Sequence, residues 1–457
     1  MTRTSDLQEW TTALLALERD VSDADRIEQI RRLEELKAAA AAAQARISTD
    51  IDRSQRRVQA EAGVPAARRG AGVASQVALA RRESPVRGGQ HLGLAKALVH
   101  EMPCTLAALS QGRLSEWRAT VIVRETACLT REHRALVDRE LCADPSRLEG
   151  LGDRAVAAEA KRIAYRLDAA AAVRRARKAV GDRCVTIRPA PDTMAYVTAL
   201  LPVAQAVGVY AALRRAADSG RAAGDRRSRN QLMADTLVER VTGLSRANDT
   251  RVEVQLVITD KSLLAGDDEP AHVPGYGPVP AALARDLVAA AAEAAAAATA
   301  ARSGEKQPGD EAAVWLRRLF THPRTGELVA ADSSRRAFPA GLRAQISTRD
   351  QVCRTPWCDA PVRHIDHARA HERGGQTSVG NGQGLCERCN YAKQAPGWSA
   401  HGDTSPDDRH EVRTTTPTGH QFFSRPPPLP GPRRDAWSQP VARSRLELHF
   451  SDLTLIA

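Results

Sequence analysis

Aromatic side chains are scarce in this chain: they make up 4% of 457 residues, with five phenylalanines and five tyrosines. So few rings argue against base stacking on an aromatic platform as the main mode of nucleic-acid binding. Long apolar runs are also missing, so no segment reads as a membrane span. The opening stretch, MTRTSDLQEW, lacks the pattern of a signal peptide, and a cytoplasmic protein is expected. Negative charge is in deficit: the net charge is +11, which favours a polyanionic partner. That signal is weak by itself, because an alanine- and arginine-rich composition makes many proteins basic. Cysteine is sparse over most of the length. Cys104, Cys128, Cys142 and Cys184 are scattered, which suits a reducing compartment.

The other four cysteines fall in one window, CRTPWCDAPVRHIDHARAHERGGQTSVGNGQGLCERCNYAKQAPGW, residues 353–398. Cys353 and Cys358 form one pair; Cys386 and Cys389 form the other. Four thiolates complete a tetrahedral shell and staple a fragment too small to hold itself by burial. Structural Zn²⁺ is therefore expected, with disulfides as the alternative. Inside the bracket, residues 362–367 read as a short strand ending on Asp366 and His367. Gly374 and Gly375 supply a tight turn. Asn381 lies in the return loop. A helix is expected from Glu387, carrying Asn390 and Lys393 one turn apart and ending near Pro396 and Gly397.

This strand, loop, strand, helix unit resembles the HNH nuclease motif of the ββα-metal fold. The three motif positions fall on His367, Asn381 and Asn390, the third being asparagine where histidine is commoner. The resemblance implies phosphodiester hydrolysis. His367 is then the general base. Asp366 and Asn390 hold a catalytic divalent ion, Mg²⁺ or Mn²⁺, to which oxygen donors are suited. Asn381 is a loop clamp that aims His367, and Lys393 meets a phosphate. His364 shares the strand face of Asp366 and is a second ligand, a substrate contact or a residue packed beside the zinc knuckle. Adjacent residues on an ideal strand point to opposite faces, so Asp366 and His367 require the strand to end or twist there.

The remaining chain reads mainly as helix. Residues 5–60 carry an apolar helical face that suits a hairpin or an oligomerising coil. A loop is expected to break the pattern at Pro85 and Gly88-Gly89. Ser115 and Thr130 are N-caps. One long basic helix is expected over residues 152–183; Arg162, Arg166, Arg174, Arg175, Arg177 and Lys178 line either a DNA-facing surface or a solvated face. Strands at 184–188, 194–200 and 251–259 are expected to form one small sheet under helices at 203–217 and 229–242. A hairpin is expected at 314–331 after a flexible link at 304–309. A short helix at 339–349 follows, then strands in WSAHG, HEVRTTT and HQFF, a polyproline run, and a possible strand at 446–450.

As a whole the chain resembles an actinobacterial family with a long helical domain of unknown function ahead of a C-terminal HNH nuclease. The strings RRESPVRGGQHLGLAKALVHEMPCTL, TIRPAPDTMAYVTALLP, MADTLVERVTG, CNYAKQAPGW and TTTPTGHQFFSRPPPLP carry that resemblance. The expected fold is a mainly α N-terminal domain with a small β-sheet (α+β), followed by a zinc-stapled ββα-metal nuclease domain. Expected boundaries are 1–60, 61–330, 340–400 and a 401–457 tail. The expected function is a metal-dependent endonuclease acting on double-stranded DNA. The alternative is a non-cleaving DNA-binding or scaffold protein with a structural zinc module.

Overall fold

The computed structural model describes residues 4–243, 256–274, 276–300, 337–404, 409–427 and 429. The chain divides into two units, Met1–Lys178 and Ala179–Ala457. Among the described residues no helix is long and apolar enough to cross a membrane.

The first unit is helical: α1 Thr4–Leu15, α2 Asp23–Glu61, α3 Val73–Arg81, α4 Pro85–His100, α5 Pro103–Ser110, α6 Glu116–Glu125, α7 Arg131–Cys142, α8 Asp153–Leu167 and α9 Ala169–Ala179. Ser22, Ser84, Ser115 and Thr130 each cap a helix by accepting a backbone N–H three residues on. The core is built from Leu98, Met102, Leu109, Ile122, Val137, Leu141, Val156 and Ile163. The alanine run of α2 buries Ala38, Ala41, Ala42 and Ala45. Small side chains there let α4 and α5 lie close against it.

Two expectations are corrected here. Pro85 and Gly88-Gly89 do not break the pattern: Ser84 caps α4, Pro85 opens it and both glycines lie within it. A Cβ on Gly88 would stand 2.3 Å from the Ala74 carbonyl oxygen and 2.5 Å from Ala78 Cβ. The α3–α4 crossing therefore excludes any side chain there. The long basic helix is in fact two, parted at Asp168, whose carboxylate accepts the Ala171 N–H at 2.8 Å. Four of its basic residues bind their own unit: Arg162 to Glu159, Arg166 to Glu140, Arg174 to Asp168, and Arg175 to the Arg124 carbonyl.

The second unit opens with β1 Cys184–Ala190 and β2 Met194–Leu200, an antiparallel hairpin. Helices α10 Val203–Ala222 and α11 Arg229–Thr242 follow, then α12 Asp260–Leu264, β3 Ala271–Val273, β4 Gly277–Val279 and α13 Ala281–Ala300. Of the expected three-stranded sheet, residues 251–255 lie outside the described residues. Among the described residues β1 and β2 pair only with each other, and Val257 exchanges both backbone hydrogen bonds with His272 on β3. The β1–β2 residues are exposed apart from Ala190, so the helices do not cover the hairpin either. The expected link at 304–309, the hairpin at 314–331 and the strand at 446–450 lie outside the described residues.

The C-terminal module comprises α14 Ala340–Asp350, β5 His364–His367, β6 Gly382–Leu385 and α15 Glu387–Lys393. β7 Ser399–Thr404, β8 His410–Thr415 and β9 Gln421–Ser424 follow as an antiparallel sheet.

In the first unit, α5 has no cap of its own, because Met102 offers no side-chain acceptor. Asp138, fully buried on α7, supplies it. It accepts Cys104 N–H at 2.7 Å, Thr105 N–H at 2.8 Å and the Thr105 hydroxyl at 2.6 Å. Asp138→Ala strands these donors and should cost about 3 kcal/mol, read as a lower melting temperature by circular dichroism. An unchanged melt would show that the α5 terminus is satisfied some other way.

Candidate metal centre and nuclease site

The module is assembled around charge as well as apolar packing. Phe338, Leu342 and Ile346 form a small core with Ile365 and Val379. At the end of α14, Asp350 is fully buried and Arg349 nearly so. Arg349 donates to Asp350 at 2.7 Å, to the Val379 carbonyl at 2.7 Å and to the Gly382 carbonyl at 2.7 Å. Asp350 accepts the Gly384 N–H at 2.6 Å and Arg354 at 3.4 Å. Arg354 also donates to the Ser424 carbonyl at the end of β9. None of these three residues stood out in the sequence, where charged side chains read as surface.

The four cysteines converge. Their sulfurs all lie within 4.8 Å of one another, with Cys358–Cys386 at 3.7 Å and Cys358–Cys389 at 3.6 Å. Cys353 and Cys358 come from a turn in which Trp357 and Asp359 adopt positive φ. Cys386 is the N-cap of α15, and Cys389 lies in its first turn. Thiols this crowded cannot all ionise without a cation. Hydrogen bonding with Cys353 pulls Cys386 down, and a separate hydrogen bond with Cys353 pushes Cys389 up. The spacing fits a tetrahedral thiolate shell, whose edge for a zinc ion is about 3.8 Å.

β5 pairs antiparallel with β6, setting Asp366 opposite Gln383 and His367 opposite Gly382. The alternation of the strand persists through His367. The Asp366 carboxylate takes the α15 side, where Lys393 forms an ion pair with it. The His367 ring takes the other side, 4.6 Å from the Phe338 ring, and is 7% exposed. Its Nε2 lies 2.8 Å from the Thr377 hydroxyl, and the His371 ring stands 5.6 Å away. Lys393 joins the two residues by donating also to the His367 carbonyl. In this arrangement its ammonium turns inward. Asn390, three residues before it, shares that helix face. The Asn390 side-chain oxygen is buried with no hydrogen-bond partner among the described residues. A buried amide oxygen and a carboxylate beside one cationic side chain are hard donors, and they fit a divalent cation of the Mg²⁺ type. His364 is exposed.

Asn381 ties down the connecting loop. It accepts the Arg369 N–H at 2.8 Å and donates to the carbonyls of Arg369 at 3.0 Å and Gln376 at 2.8 Å. A Cβ on Gly375 would lie 1.8 Å from the Arg369 carbonyl oxygen, so the loop closes only over glycine.

A family model described as Domain of unknown function (DUF222) matches residues 30–350. The chain belongs to the DUF222 family. A second model, HNH endonuclease, matches residues 351–395, the stretch holding the four cysteines, His367, Asn381 and Asn390. No curated protein and no solved structure matches the chain. The nuclease module of this DUF222 protein extends past that match: His410 on β8 donates to the Gly380 carbonyl at 2.9 Å, beside Asn381.

Burial, with Arg349 and Arg354 close by and only Asp350 and the Gly380 carbonyl opposing, pushes His410 down to about 4. The unfolded chain binds that proton near the ordinary value of about 6.5, so acidification through this window favours unfolding by up to about 3 kcal/mol. The stability advantage of wild type over His410→Gln should therefore shrink between about pH 7 and about pH 5, measured by thermal melts. A difference independent of pH would sink the assignment.

Proposed function

We propose that the chain is a metal-dependent endonuclease that hydrolyses phosphodiester bonds in double-stranded DNA, with a structural zinc ion in the four-cysteine shell. The observation that carries this reading is the coincidence of the HNH match with a strand–helix pair in which Lys393 of α15 meets the Asp366 carboxylate and the His367 carbonyl, with Asn390 on the same helix face. His367 takes a proton from water, and the oxygen so released forms the new bond to phosphorus. The bond to the 3′ oxygen then breaks, and that oxygen takes up a proton from solvent. Asp366 and Asn390 would hold Mg²⁺ or Mn²⁺, which when bound supplies charge relief on the phosphate. Asn381 fixes the backbone just beyond His367, so the imidazole sits on a rigid support. Lys393, which here pairs with Asp366, would meet a phosphate, and exposed His364 lies on the same module. The net charge of +11 suits a polyanionic substrate.

Supercoiled plasmid incubated with Mg²⁺ or Mn²⁺ tests the reading. Wild type should nick or linearise it, and His367→Ala should reduce cleavage by at least about a hundredfold while keeping its zinc and its DNA affinity. If wild type binds DNA but cleaves nothing with either ion, the chain is a binding module. Asn390→His should retain cleavage and shift the preference from Mg²⁺ toward softer ions. Elemental analysis should find one zinc per chain, and Cys386→Ser should lose it together with the fold of the module. Protein purified free of zinc, yet folded, would overturn the structural-zinc part alone.

A further inference from the structure

The loop residue Thr377 has no part in the motif, yet it makes a direct polar contact to the His367 ring. Its hydroxyl lies 2.8 Å from Nε2, and the residue is 2% exposed. Both of its neighbours are held by Asn381: the Gln376 carbonyl accepts from the amide at 2.8 Å, and the Ser378 hydroxyl accepts the Asn381 N–H at 3.1 Å. Gly375, two residues earlier, donates its N–H to the Ala370 carbonyl at 3.1 Å. The position of the hydroxyl is therefore set by backbone on either side.

We propose that Thr377 is the positioning residue for His367, accepting Nε2–H and so reserving Nδ1 as the nitrogen that takes the proton. The proposal rests on the reading of His367 as the base. A neutral imidazole carries one N–H and one lone pair, and the partner of the first decides where the second points. A hydroxyl can rotate to donate or accept, so geometry permits both tautomers. The chemistry separates them. With Nε2–H donating to Thr377, proton uptake at Nδ1 keeps the bond and makes its donor cationic, hence stronger. With the hydroxyl donating to Nε2, Nδ1 already holds a hydrogen and has no lone pair for water. Only the first arrangement lets the ring accept a proton without breaking its support.

The tautomer is read directly in the full chain by long-range ¹H–¹⁵N correlation on ¹⁵N-histidine protein, with the His367 signals assigned by their loss in His367→Ala. Wild type should show Nε2–H. Thr377→Val, nearly isosteric, should mix the tautomers and lower kcat by about tenfold to a hundredfold with KM within about twofold, and Thr377→Ser should recover most of the loss. Neutral His367 protonated on Nδ1 in wild type overturns the proposal without any variant. An unchanged tautomer and kcat in Thr377→Val does so as well. If wild type cleaves nothing yet shows Nε2–H, and this is lost in Thr377→Val, the base reading fails and the positioning stands.

Discussion

Asp350 is a carboxylate with no solvent-exposed surface, placed where α14 ends and the metal-binding turn begins. Taking a carboxylate out of water costs several kcal/mol, and the cost is offset only where partners surround it. Here Arg349, the Gly384 amide and Arg354 do so from three directions. Each partner belongs to a different part of the module, so the requirement to satisfy one charge fixes α14, β6 and the first cysteine turn together. Arg349 reaches past Asp350 to the Val379 and Gly382 carbonyls, at the mouth of the loop that returns from His367. Arg354 reaches the end of β9. An apolar cluster of three main residues, Phe338 with Leu342 and Ile346 of α14, is too small to specify so many positions, and directional bonds to a buried charge make up the difference.

The loop between β5 and β6 inherits that rigidity. Its two ends are paired strands, its middle is drawn together by Asn381, and Gly375 permits an approach that no side chain would allow. The ring of His367 is held by packing on Phe338 and by Thr377. The opposite side of β5 carries the charge. Asp366 and Lys393 neutralise each other there, and the buried Asn390 oxygen shares the helix face of Lys393. The strand thus keeps the imidazole and the carboxylate on separate faces of one short segment.

Much of this was legible in the sequence, for stated physical reasons. Thiolate ligands must converge on one point, so the two cysteine pairs announced their cluster through spacing alone. Asn381 was readable through its place in the motif, and α15 because the following Pro396 and Gly397 bound it. Thr377 was not legible, since a hydroxyl in a polar loop gives no local sign of which ring it meets. Asp350 and its arginines were missed because the default reading of a charge is surface, and only the packed structure reveals the exception. Ser84-Pro85 read as a breaker when it starts a helix, and Gly88 gave no hint that α3 lay against it. The pairing of strands was least legible of all: Val257 finds its partner in a three-residue strand too short to leave a pattern.

The boundary between the two family matches falls between residues 350 and 351. Physically that point is the middle of the module. It parts Asp350 from Arg354, which share a buried ion pair, and it assigns Phe338 and Ile346 to the domain of unknown function although they pack on Ile365 of β5 and Phe338 meets the His367 ring. At the other end the match stops at residue 395, while His410 and Arg354 lock β8 and β9 onto the loop and the cysteine turn. The contacts of the C-terminal module therefore run from Phe338 through Ser424. The last helix of the DUF222 match thus has an assignable structural role in this chain: it carries the buried carboxylate to which β6 and the first cysteine turn are tied.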